Sequence, residues 1–544
     1  MRSAAEALIA FLAAHGIDRC FCVPGESYVA VLDALHAHPN IDLVTCRHES
    51  GAGFMAVADA RLTGRPGVAL VSRGPGACNA AIAVHTAEQD AVPLLLLIGQ
   101  VRARDLRARA FQEIDYASMF GRIAKFVGEA THAAQVPELM ARAWSAMHTG
   151  VPGPAVLALP EDVLRQPCAA PATGAVTRAD AAPPPEAVAA IAGMLRAAER
   201  PILLAGGDFS RPGGREALLG FAERWRVPVA VSFRRQDLFP NDHALYAGDM
   251  GLSNPPEQRR AFARADLVFA LGTRLGDITT QNYSWPAPGQ RLIHVCADPG
   301  FLGWRFAPEL AVAARALPTL AALMNEPVSI PAERHSWNAE LRSIQAAESA
   351  WSPRHASDGI VFANLVAALG PRLADDAVVT LDAGTFGAPF YRKVSWRPGQ
   401  RLLAPISGAM GFGVPAAVAA ALRTNRPVIC AVGDGGFLMT GSELAVAAGR
   451  GAALKLLLSD NRSYGSIRIQ QERAYPGRVS GTDLANPDFV AIGAAYGFPI
   501  LHARSESDVP RLLDALTAPG PLFGVVDTSL SAVLTGGRGV SEAE

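Results

Sequence analysis

Short apolar runs recur along the chain, and each is followed by glycine or polar residues and then by a stretch with helical spacing. Such runs are typical of buried parallel strands, because helices cover both faces of a parallel sheet. In the first part of the chain, strands are predicted over 19–23, 41–46, 67–72, 93–98 and 153–160, with helices over 3–15, 29–37, 50–62 and 77–89. This alternation predicts a doubly wound parallel sheet, with a site at the edge where the carboxyl ends of the strands meet.

The same alternation occurs twice more, so the predicted fold class is α/β, with three doubly wound parallel-sheet domains. A chain of 544 residues is also too long for a single hydrophobic core. The predicted domains cover 1–166, 187–330 and 359–530, and the third is expected to repeat the strand order of the first. In the second domain, strands are predicted over 201–204, 227–232, 267–271 and 291–295. The remaining segments predict two linkers and a mobile tail, over 165–186, 331–358 and 536–544.

Composition narrows the class of protein. Half of the residues are hydrophobic, 18% are charged and the formal net charge is −1, which is typical of a globular enzyme and argues against nucleic-acid binding or disorder. One long uncharged run, 402–422, is broken by glycines and prolines and predicts a loop and a buried helix rather than a membrane span. Seven scattered cysteines without a CxxC pair favour a cytoplasmic location, as does an amino terminus that predicts a helix rather than a signal peptide.

The third domain carries the strongest candidate chemistry. Gly433-Asp434-Gly435-Gly436 follows the predicted strand 426–432, and Asn461 follows the next predicted strand, 453–459. Parallel strands joined by a right-handed crossover bring these loops to one sheet edge, so Asp434 and Asn461 should converge. With a backbone carbonyl and diphosphate oxygens they would complete the octahedral set that Mg²⁺ requires, and the glycines would let phosphates approach the helix amino terminus. The alternative is a tight strand-to-helix turn without a ligand.

This motif resembles the thiamine-diphosphate and Mg²⁺ motif of the thiamine-diphosphate-dependent enzymes, and the resemblance extends over essentially the whole chain. It is closest to the catalytic subunit of acetolactate synthase (acetohydroxyacid synthase). The segments that carry the resemblance are Pro24-Gly25, Arg47-His48-Glu49, 72–79, 99–101, 110–113 and 407–413.

The resemblance implies thiamine diphosphate and Mg²⁺ as cofactors. It gives Glu49 the role of hydrogen-bonding the pyrimidine and favouring its imino tautomer; a helix-capping glutamate is the alternative. It implies that Gly408 and Met410 contact the pyrimidine, with the Met410 side chain forcing the coenzyme into a V shape; a gap-filling core methionine is the alternative. The implied metal ligands are Asp434, Asn461 and the Ser463 carbonyl. The other implied coenzyme contacts are Pro24, Gly25, Gly76, Asn79, Ala383, Gly384, Thr385, Gly433, Gly435, Gly436, Tyr464 and Gly465.

The implied reaction is decarboxylation of a 2-oxo acid followed by carboligation of the enamine to a second carbonyl. Gly99-Gln100-Val101 lacks the paired histidine of many simple decarboxylases, which favours carboligation. Phe111 and Gln112 resemble residues beside the enamine and the acceptor; a hydrophobic contact and a surface amide are the alternative. A simple 2-oxo acid decarboxylase, a flavin-containing enzyme of the pyruvate oxidase type and an inactive binding subunit remain as alternatives.

Several positions depart from the acetolactate synthase pattern. Ser466, Ile467 and Gln470 occupy places where that family has a Met-Val pair and a tryptophan. Glu161 replaces a lysine and so reverses a charge that could receive a carboxylate. These departures leave the substrates open.

The last expectations concern a flavin cofactor and the oligomeric state. Segments 271–274 and 297–299 resemble FAD-contacting stretches but also occur as turns in flavin-free relatives, so FAD is possible but not favoured. Gly206-Gly207-Asp208 lacks a GxGxxG pattern and is interpreted as a structural turn.

The family's coenzyme lies between the first domain of one subunit and the third of another, so a homodimer or homotetramer with an interfacial active site is implied. The expected small-molecule partner is a 2-oxo acid, with no nucleic acid and no membrane.

Overall fold

The computed structural model describes residues 2–169 and 179–536, and these residues form three sheets of six parallel strands each. The predicted α/β class with three doubly wound sheets is therefore confirmed. Part of the predicted linker 165–186 and all but the first residue of the predicted tail 536–544 lie outside the described residues.

The first sheet has the strand order β2-β1-β3-β4-β6-β5. Its strands are β1 (Arg19–Cys22), β2 (Asp42–Thr45), β3 (Gly67–Ser72), β4 (Leu94–Gln100), β5 (Phe126–Glu129) and β6 (Ala155–Pro160). Its helices are α1 (Ala4–Ala14), α2 (Val29–His36), α3 (Glu49–Thr63), α4 (Arg73–Asp90), α5 (Tyr116–Phe120), α6 (Val136–His148) and α7 (Glu161–Arg165). The sequence reasoning missed β5, and it placed 73–76 in a loop, whereas these residues form the first turn of α4.

The central sheet has the order β12-β11-β10-β7-β8-β9. Its strands are β7 (Pro201–Ala205), β8 (Val229–Val231), β9 (Tyr246–Asp249), β10 (Leu267–Leu271), β11 (Arg291–Cys296) and β12 (Leu310–Ala313). The helices of this part are α8 (Pro185–Ala197), α9 (Gly214–Trp225), α10 (Pro256–Ala263), α11 (Ala316–Leu323) and α12 (Glu333–Ser349). The strands β9 and β12 were not predicted; both lie at the edges of the sheet.

The third sheet, β14-β13-β15-β16-β18-β17, repeats the strand order of the first, as predicted. Its strands are β13 (Val378–Leu381), β14 (Arg401–Leu403), β15 (Val428–Gly433), β16 (Lys455–Asp460), β17 (Ile500–Ala503) and β18 (Leu522–Asp527). Its helices are α13 (Phe362–Leu369), α14 (Ala388–Arg392), α15 (Gly413–Arg423), α16 (Asp434–Thr440), α17 (Leu444–Gly449), α18 (Gly465–Ala474), α19 (Phe489–Ala495), α20 (Val509–Thr517) and α21 (Leu530–Gly536). The helical stretch between β15 and β16 is divided into α16 and α17 by a 3₁₀ turn at 441–443.

The first and third units pack together through α3 and α15. Phe54 meets Phe412 edge to face, with ring centroids 5.6 Å apart. At the other end of the contact, the Arg423 guanidinium donates to both carboxylate oxygens of Asp59, at 2.6 and 2.8 Å. The uncharged run 402–422 thus enters a buried helix, α15, as predicted. None of the helices in the described ranges combines the length and apolar character needed to span a bilayer.

Candidate active site

The carboxyl edge of the first sheet brings Glu49 against α4. Glu49 is the first residue of α3, and His48 is its N-cap. The Asn79 side-chain amide donates to Glu49 Oε2 at 2.9 Å, and a Cβ added to Gly76 would lie 3.4 Å from Glu49 Oε1. Three residues that the resemblance assigned to the coenzyme are therefore neighbours, and the carboxylate is only partly buried.

Pro24 and Gly25 lie beside this group, at the end of β1. A Cβ at Gly25 would come within 2.4 Å of Ser72 Cβ, so only glycine allows this close approach of the β1 and β3 ends. Ser27 and Ser72 are joined by a hydrogen bond of 2.8 Å. The ends of two adjacent strands are thus closely packed at the edge where Glu49 lies.

The loop that carries Phe111 and Gln112 also reaches this edge. The backbone amide of Gly74, in the first turn of α4, donates to the Gln112 carbonyl at 2.9 Å. Gln112 has a left-handed backbone, φ 66°, which is uncommon for a residue with a side chain. Phe111 is 76% exposed. The loop is therefore held by its backbone and presents a free aromatic ring.

Glu161, where the sequence reverses an expected charge, is neutralised in the fold. One carboxylate oxygen lies 3.1 Å from an Arg73 nitrogen and the other 2.9 Å from Arg102 Nε. A positive charge is therefore present at this edge, but it comes from Arg73 and Arg102.

The carboxyl edge of the third sheet brings Asp434 beside two residues that the sequence reasoning did not single out, Asp460 and Asn486. The Asn486 side-chain amide donates to Asp434 Oδ2 and to Asp460 Oδ1, each at 2.8 Å. Burial raises the pKa of Asp434 to about 6, and the neighbouring Asp460 adds to the rise against the hydrogen bonds from Asn486 and Gly435. Asp460 had a sequence signal, since it directly precedes Asn461; Asn486 had none.

Asn461, Ser463 and Gly465 form a compact turn next to this carboxylate pair. Asn461 Oδ1 accepts from the Ser463 amide at 3.0 Å, and the Ser463 carbonyl accepts from the Gly465 amide at 2.7 Å. A Cβ at Gly465 would lie 3.1 Å from Asn461 Nδ2 and 3.5 Å from Thr385 Oγ1. The Thr385 loop and the Asn461 loop therefore meet at the same edge. No group of three His, Cys, Asp or Glu side chains suited to a metal occurs within 2–169 and 179–536, so any cation here would depend on amide, carbonyl or ligand oxygens.

Two glycines of the motif accommodate aromatic rings. A Cβ at Gly435 would come within 2.5 Å of the Tyr464 ring, and one at Gly433 would come within 3.1 Å of the Phe386 ring. Tyr464 thus packs against the start of α16. The close packing around these glycines explains part of the motif independently of any phosphate.

Asp382, which the sequence reasoning missed, connects the remaining predicted loops. Its buried carboxylate accepts from the amides of Ala383 (2.7 Å), Gly411 (2.9 Å) and Gly413 (3.0 Å). Burial raises its pKa to about 6, against the lowering effect of these amides. The carboxylate therefore fixes the Ala383-Gly384-Thr385 loop relative to the Gly408–Met410 loop. Met410 is partly exposed, and Gly408 has a left-handed φ of 70°.

Within one chain, Glu49 and the Gly408–Met410 loop lie against different parts of α4, ten residues apart along the helix. Thr86 Oγ1 on α4 lies 3.0 Å from Ser407 Oγ, while Gly76, ten positions earlier on the same helix, contacts Glu49. At a rise of 1.5 Å per residue, those two contact points are roughly 15 Å apart. In one copy, the loop that follows Ser407 and carries Gly408 and Met410 therefore lies roughly 15 Å from Glu49.

Glu443 gives a second measure of the same separation. Its carboxylate accepts from the backbone amides of Arg47 (3.1 Å) and His48 (2.9 Å), directly before Glu49. Glu443 follows Asp434 by nine positions along α16 and its 3₁₀ turn, which corresponds to roughly 13 Å. Burial raises the pKa of Glu443 to about 7, and the charge of Glu49 adds to the rise, against the two amides.

We expect Glu443→Gln to flatten the dependence of stability on pH. Because the pKa of Glu443 is raised from 4.5 to about 7, the folded protein binds this proton more tightly than the unfolded chain, so stability falls as pH rises from about 4.5 to 7. The loss is about 3 kcal/mol for this group, and glutamine avoids it. The melting temperature of the variant, relative to that of the parent, should be higher at pH 8 than at pH 5. An unchanged difference would contradict this assignment, and exposed Glu138→Gln is the control.

The central sheet has a cavity of about 190 Å³ at the carboxyl ends of β7 and β10, where the strand order reverses. Gly207 and Thr273 are among its lining residues. Four arginines line it, and three of them are paired with a carboxylate of the chain: Arg211 with Asp180 (2.8 Å), Arg274 with Glu88 (2.9 Å) and Arg315 with Asp208 (2.9 Å). The charges of these three are therefore offset, whereas the fourth, Arg235, donates to the Asp90 carbonyl (3.0 Å) and to Ser210 Oγ (3.4 Å).

Comparison with known proteins gives matches over most of the chain. Three family models match: thiamine pyrophosphate enzyme, N-terminal TPP binding domain, over 2–119; the central domain over 188–323; and the C-terminal TPP binding domain over 382–526. The acetolactate synthase isozyme 1 large subunit of Escherichia coli K12 is 31% identical over 525 residues, covering 95% of this chain and 92% of that protein. The isozyme 2 large subunit of the same organism is 29% identical over 521 residues, covering 95% and 94%. The acetolactate synthase large subunit of Lactococcus lactis is 28% identical over 542 residues, covering 96% and 92%.

Proposed function

The chain belongs to the thiamine pyrophosphate enzyme family, and we propose that it binds its coenzyme between the first-sheet edge of one copy and the third-sheet edge of another. It is a thiamine-diphosphate-dependent enzyme of the acetolactate synthase type, which decarboxylates a 2-oxo acid and joins the remaining fragment to a second carbonyl. The main support for the proposed site is the contact of Glu49 with Asn79 and Gly76 at the carboxyl edge of the first sheet.

Glu49 is proposed as the catalytic acid–base residue. When bound, thiamine diphosphate supplies a nucleophilic carbon that attacks the keto group and accepts the electron pair left when CO₂ departs. Glu49 would hold the proton shared with pyrimidine N1′, and Asn79 would keep the carboxylate in place through Oε2. Gly76, with no side chain, leaves Oε1 accessible. Pro24 and Gly25 would border the pyrimidine.

Asp434, Asn461 and the Ser463 carbonyl are proposed to hold Mg²⁺ at the diphosphate end. The fit is supported by the chemistry of the donors: Asp434 is buried beside a second carboxylate, Asp460, an arrangement that a divalent cation stabilises. The Ser463 carbonyl has a second lone pair available beyond its bond to Gly465. The other proposed contacts of the diphosphate are Ala383, Gly384, Thr385, Gly433, Gly435, Gly436, Tyr464 and Gly465.

A homodimer or homotetramer is proposed because one copy does not bring the two edges close enough together. The pyrimidine would need Glu49 on one side and Gly408 and Met410 on the other, each through a hydrogen bond of about 3 Å. A separation of roughly 15 Å within one chain is wider than a single ring bonded in this way. Exposed apolar side chains near the two edges support burial by another copy: Ile82, Leu438, Met439 and Ile467.

Phe111 and Gln112 are proposed to border the acceptor carbonyl. Their loop is attached to the first turn of α4, next to the helix face that holds Asn79. The exposed Phe111 ring is free to cover a bound acceptor, and excluding water there would favour carboligation over protonation.

We propose that the enzyme works without FAD. Three of the four arginines that line the central cavity, Arg211, Arg274 and Arg315, are paired with carboxylates of the chain, which weakens the site for a diphosphate. The visible absorption of bound flavin in the purified protein would refute this.

We also propose the domain limits 1–166, 187–330 and 359–530 and a cytoplasmic location. The seven cysteines are all free, which suits a reducing compartment.

A panel of 2-oxo acids tests the proposed function. Each acid is incubated with the enzyme, thiamine diphosphate and Mg²⁺, with and without an added aldehyde or 2-oxo acid acceptor, and both CO₂ and products are measured. We expect CO₂ release to be accompanied by a carboligation product that retains the donor fragment. Release of CO₂ with only the free aldehyde as product would favour the simple decarboxylase instead.

A further inference from the structure

Arg73 directly follows β3, at the carboxyl edge of the first sheet. It is the first residue of α4, and its φ of 46° is left-handed. A residue with a side chain adopts this region at a cost. Gly76, three positions later on the same helix face, contacts Glu49. The Arg73 side chain therefore starts one turn away from the proposed catalytic carboxylate.

The Arg73 guanidinium is held from one side. One terminal nitrogen lies 3.1 Å from Glu161 Oε2, and Glu161 is itself fixed by Arg102 Nε at 2.9 Å. The Arg73 side chain is 12% exposed, and its Nε is buried without a hydrogen-bond partner in the described residues. The buried Nε is out of reach of a ligand, so a ligand oxygen would bind the other terminal nitrogen, which faces the exposed Glu26 side chain rather than Glu161.

Glu26 is the only other acid near the guanidinium among the described residues. Its carboxylate lies 3.6 Å from Arg73, too far for a hydrogen bond, and its side chain is 73% exposed. Because the Glu26 side chain is exposed and does not make a hydrogen bond to Arg73, water and salt screen this pair and it contributes little. An incoming carboxylate can therefore replace Glu26, whereas Glu161, with two cationic partners, remains in place.

We propose that Arg73 binds the carboxylate of the acceptor 2-oxo acid and so selects an anionic acceptor over a neutral aldehyde. This inference rests on the proposed carboligation. Glu161 is the positioning residue that orients the guanidinium, and the Gln112 loop is hydrogen-bonded to Gly74, the residue that follows Arg73. An arginine offers a planar pair of donors that matches a carboxylate.

The carboxylate at Arg73 is the one that the product keeps. A cation beside the donor carboxylate would stabilise the charged ground state more than the transition state in which CO₂ becomes neutral, and so would slow decarboxylation. A cation beside the acceptor carboxylate has no such cost, since that group stays charged throughout. Arg73 therefore acts in the second half of the reaction.

The test compares two acceptors that differ only by the carboxylate, 2-oxobutyrate and propanal, with the donor that the parent enzyme decarboxylates fastest. For Arg73→Met, we expect the ratio of kcat/KM for 2-oxobutyrate to that for propanal to fall by about 10–100-fold, mainly through a higher KM for 2-oxobutyrate. Arg73→Lys, which keeps the charge without the planar fork, should recover part of the ratio. Arg104→Met is the control. It removes an exposed arginine from the 3₁₀ turn Ala103–Asp105, which follows β4, and should leave the ratio unchanged.

Equal losses with both acceptors, or no loss with 2-oxobutyrate, would overturn the proposal. Heat stabilisation by thiamine diphosphate and Mg²⁺ reports whether each variant is folded, and Arg73→Lys provides the comparison if Arg73→Met does not fold. The same experiment distinguishes failure of the Arg73 proposal from failure of the proposed carboligation. A parent enzyme that forms no carboligation product with either acceptor refutes the function, whereas a parent that does so, with a ratio unchanged in both Arg73 variants, refutes only the role of Arg73.

Discussion

Glu49→Gln is expected to lower CO₂ release by about 10²–10⁴-fold, the usual contribution of a positioned acid–base group, while coenzyme affinity changes only slightly. Glutamine retains the size of the side chain and the hydrogen-bonding contact with Asn79, but it cannot hold the proton at pyrimidine N1′. The measurement is CO₂ release at saturating coenzyme, together with calorimetric titration of thiamine diphosphate in the presence of Mg²⁺.

A matched control separates the role of Glu49 from a general effect of losing a carboxylate. Glu138→Gln removes an exposed glutamate of α6 that pairs only loosely with Arg142, at 3.7 Å, and should leave CO₂ release unchanged. Near-normal turnover of Glu49→Gln would contradict the assigned role. Equal loss of turnover and of coenzyme affinity would indicate a structural contribution instead.

Asp434→Ala is expected to lower the Mg²⁺-dependent affinity for thiamine diphosphate by at least about 100-fold, since loss of groups that merely support metal ligands already costs about 10–100-fold. The apo protein should not be destabilised in parallel. Asp434 is a buried carboxylate whose pKa is raised to about 6 by its burial, so its removal relieves an unfavourable charge above pH 6.

Calorimetry and thermal unfolding of the same sample test this pair of effects. The expected pattern is weak coenzyme binding with a melting temperature of the apo protein that is unchanged or higher. Asp375→Ala, at an exposed carboxylate paired with Arg397, is the control and should bind normally. Unchanged coenzyme affinity in Asp434→Ala would remove Asp434 from the metal site.

The architecture could be predicted because its signals are local. Alternating apolar runs and helical stretches require parallel sheets, and strand ends of one sheet must share an edge, so the proximity of the Asp434 and Asn461 loops followed from the sequence alone. In the first two sheets the strands that were missed, β5, β9 and β12, lie at sheet edges, where a strand needs fewer apolar residues. In the third sheet no ranges were predicted for β14, β17 and β18, and β18 is an interior strand. The first turn of α4 was missed because Pro75 and two glycines are typical of loops, although proline is tolerated in the first turn of a helix.

The buried polar groups that position the site could not be predicted. Asp382 contacts the Gly411 and Gly413 amides, and Glu443 contacts the amides before Glu49, across long distances in sequence. Nothing in the local pattern distinguishes such an acid from a surface acid, because its partners are backbone atoms that only the fold brings near. The pairing of Glu161 with Arg73 is similar: the sequence indicated a reversed charge, and the fold supplies the arginine that offsets it.

The most direct test of the account is complementation between two inactive variants, Glu49→Gln and Asp434→Ala, produced together with different affinity tags and purified as the mixed assembly. If each site combines Glu49 of one copy with Asp434 of another, a mixed dimer has one site with both residues intact and should recover about half of the parent activity. If both residues belong to a site within one chain, every site in the mixed dimer carries a substitution. A mixed assembly as inactive as its two parents would contradict the shared site.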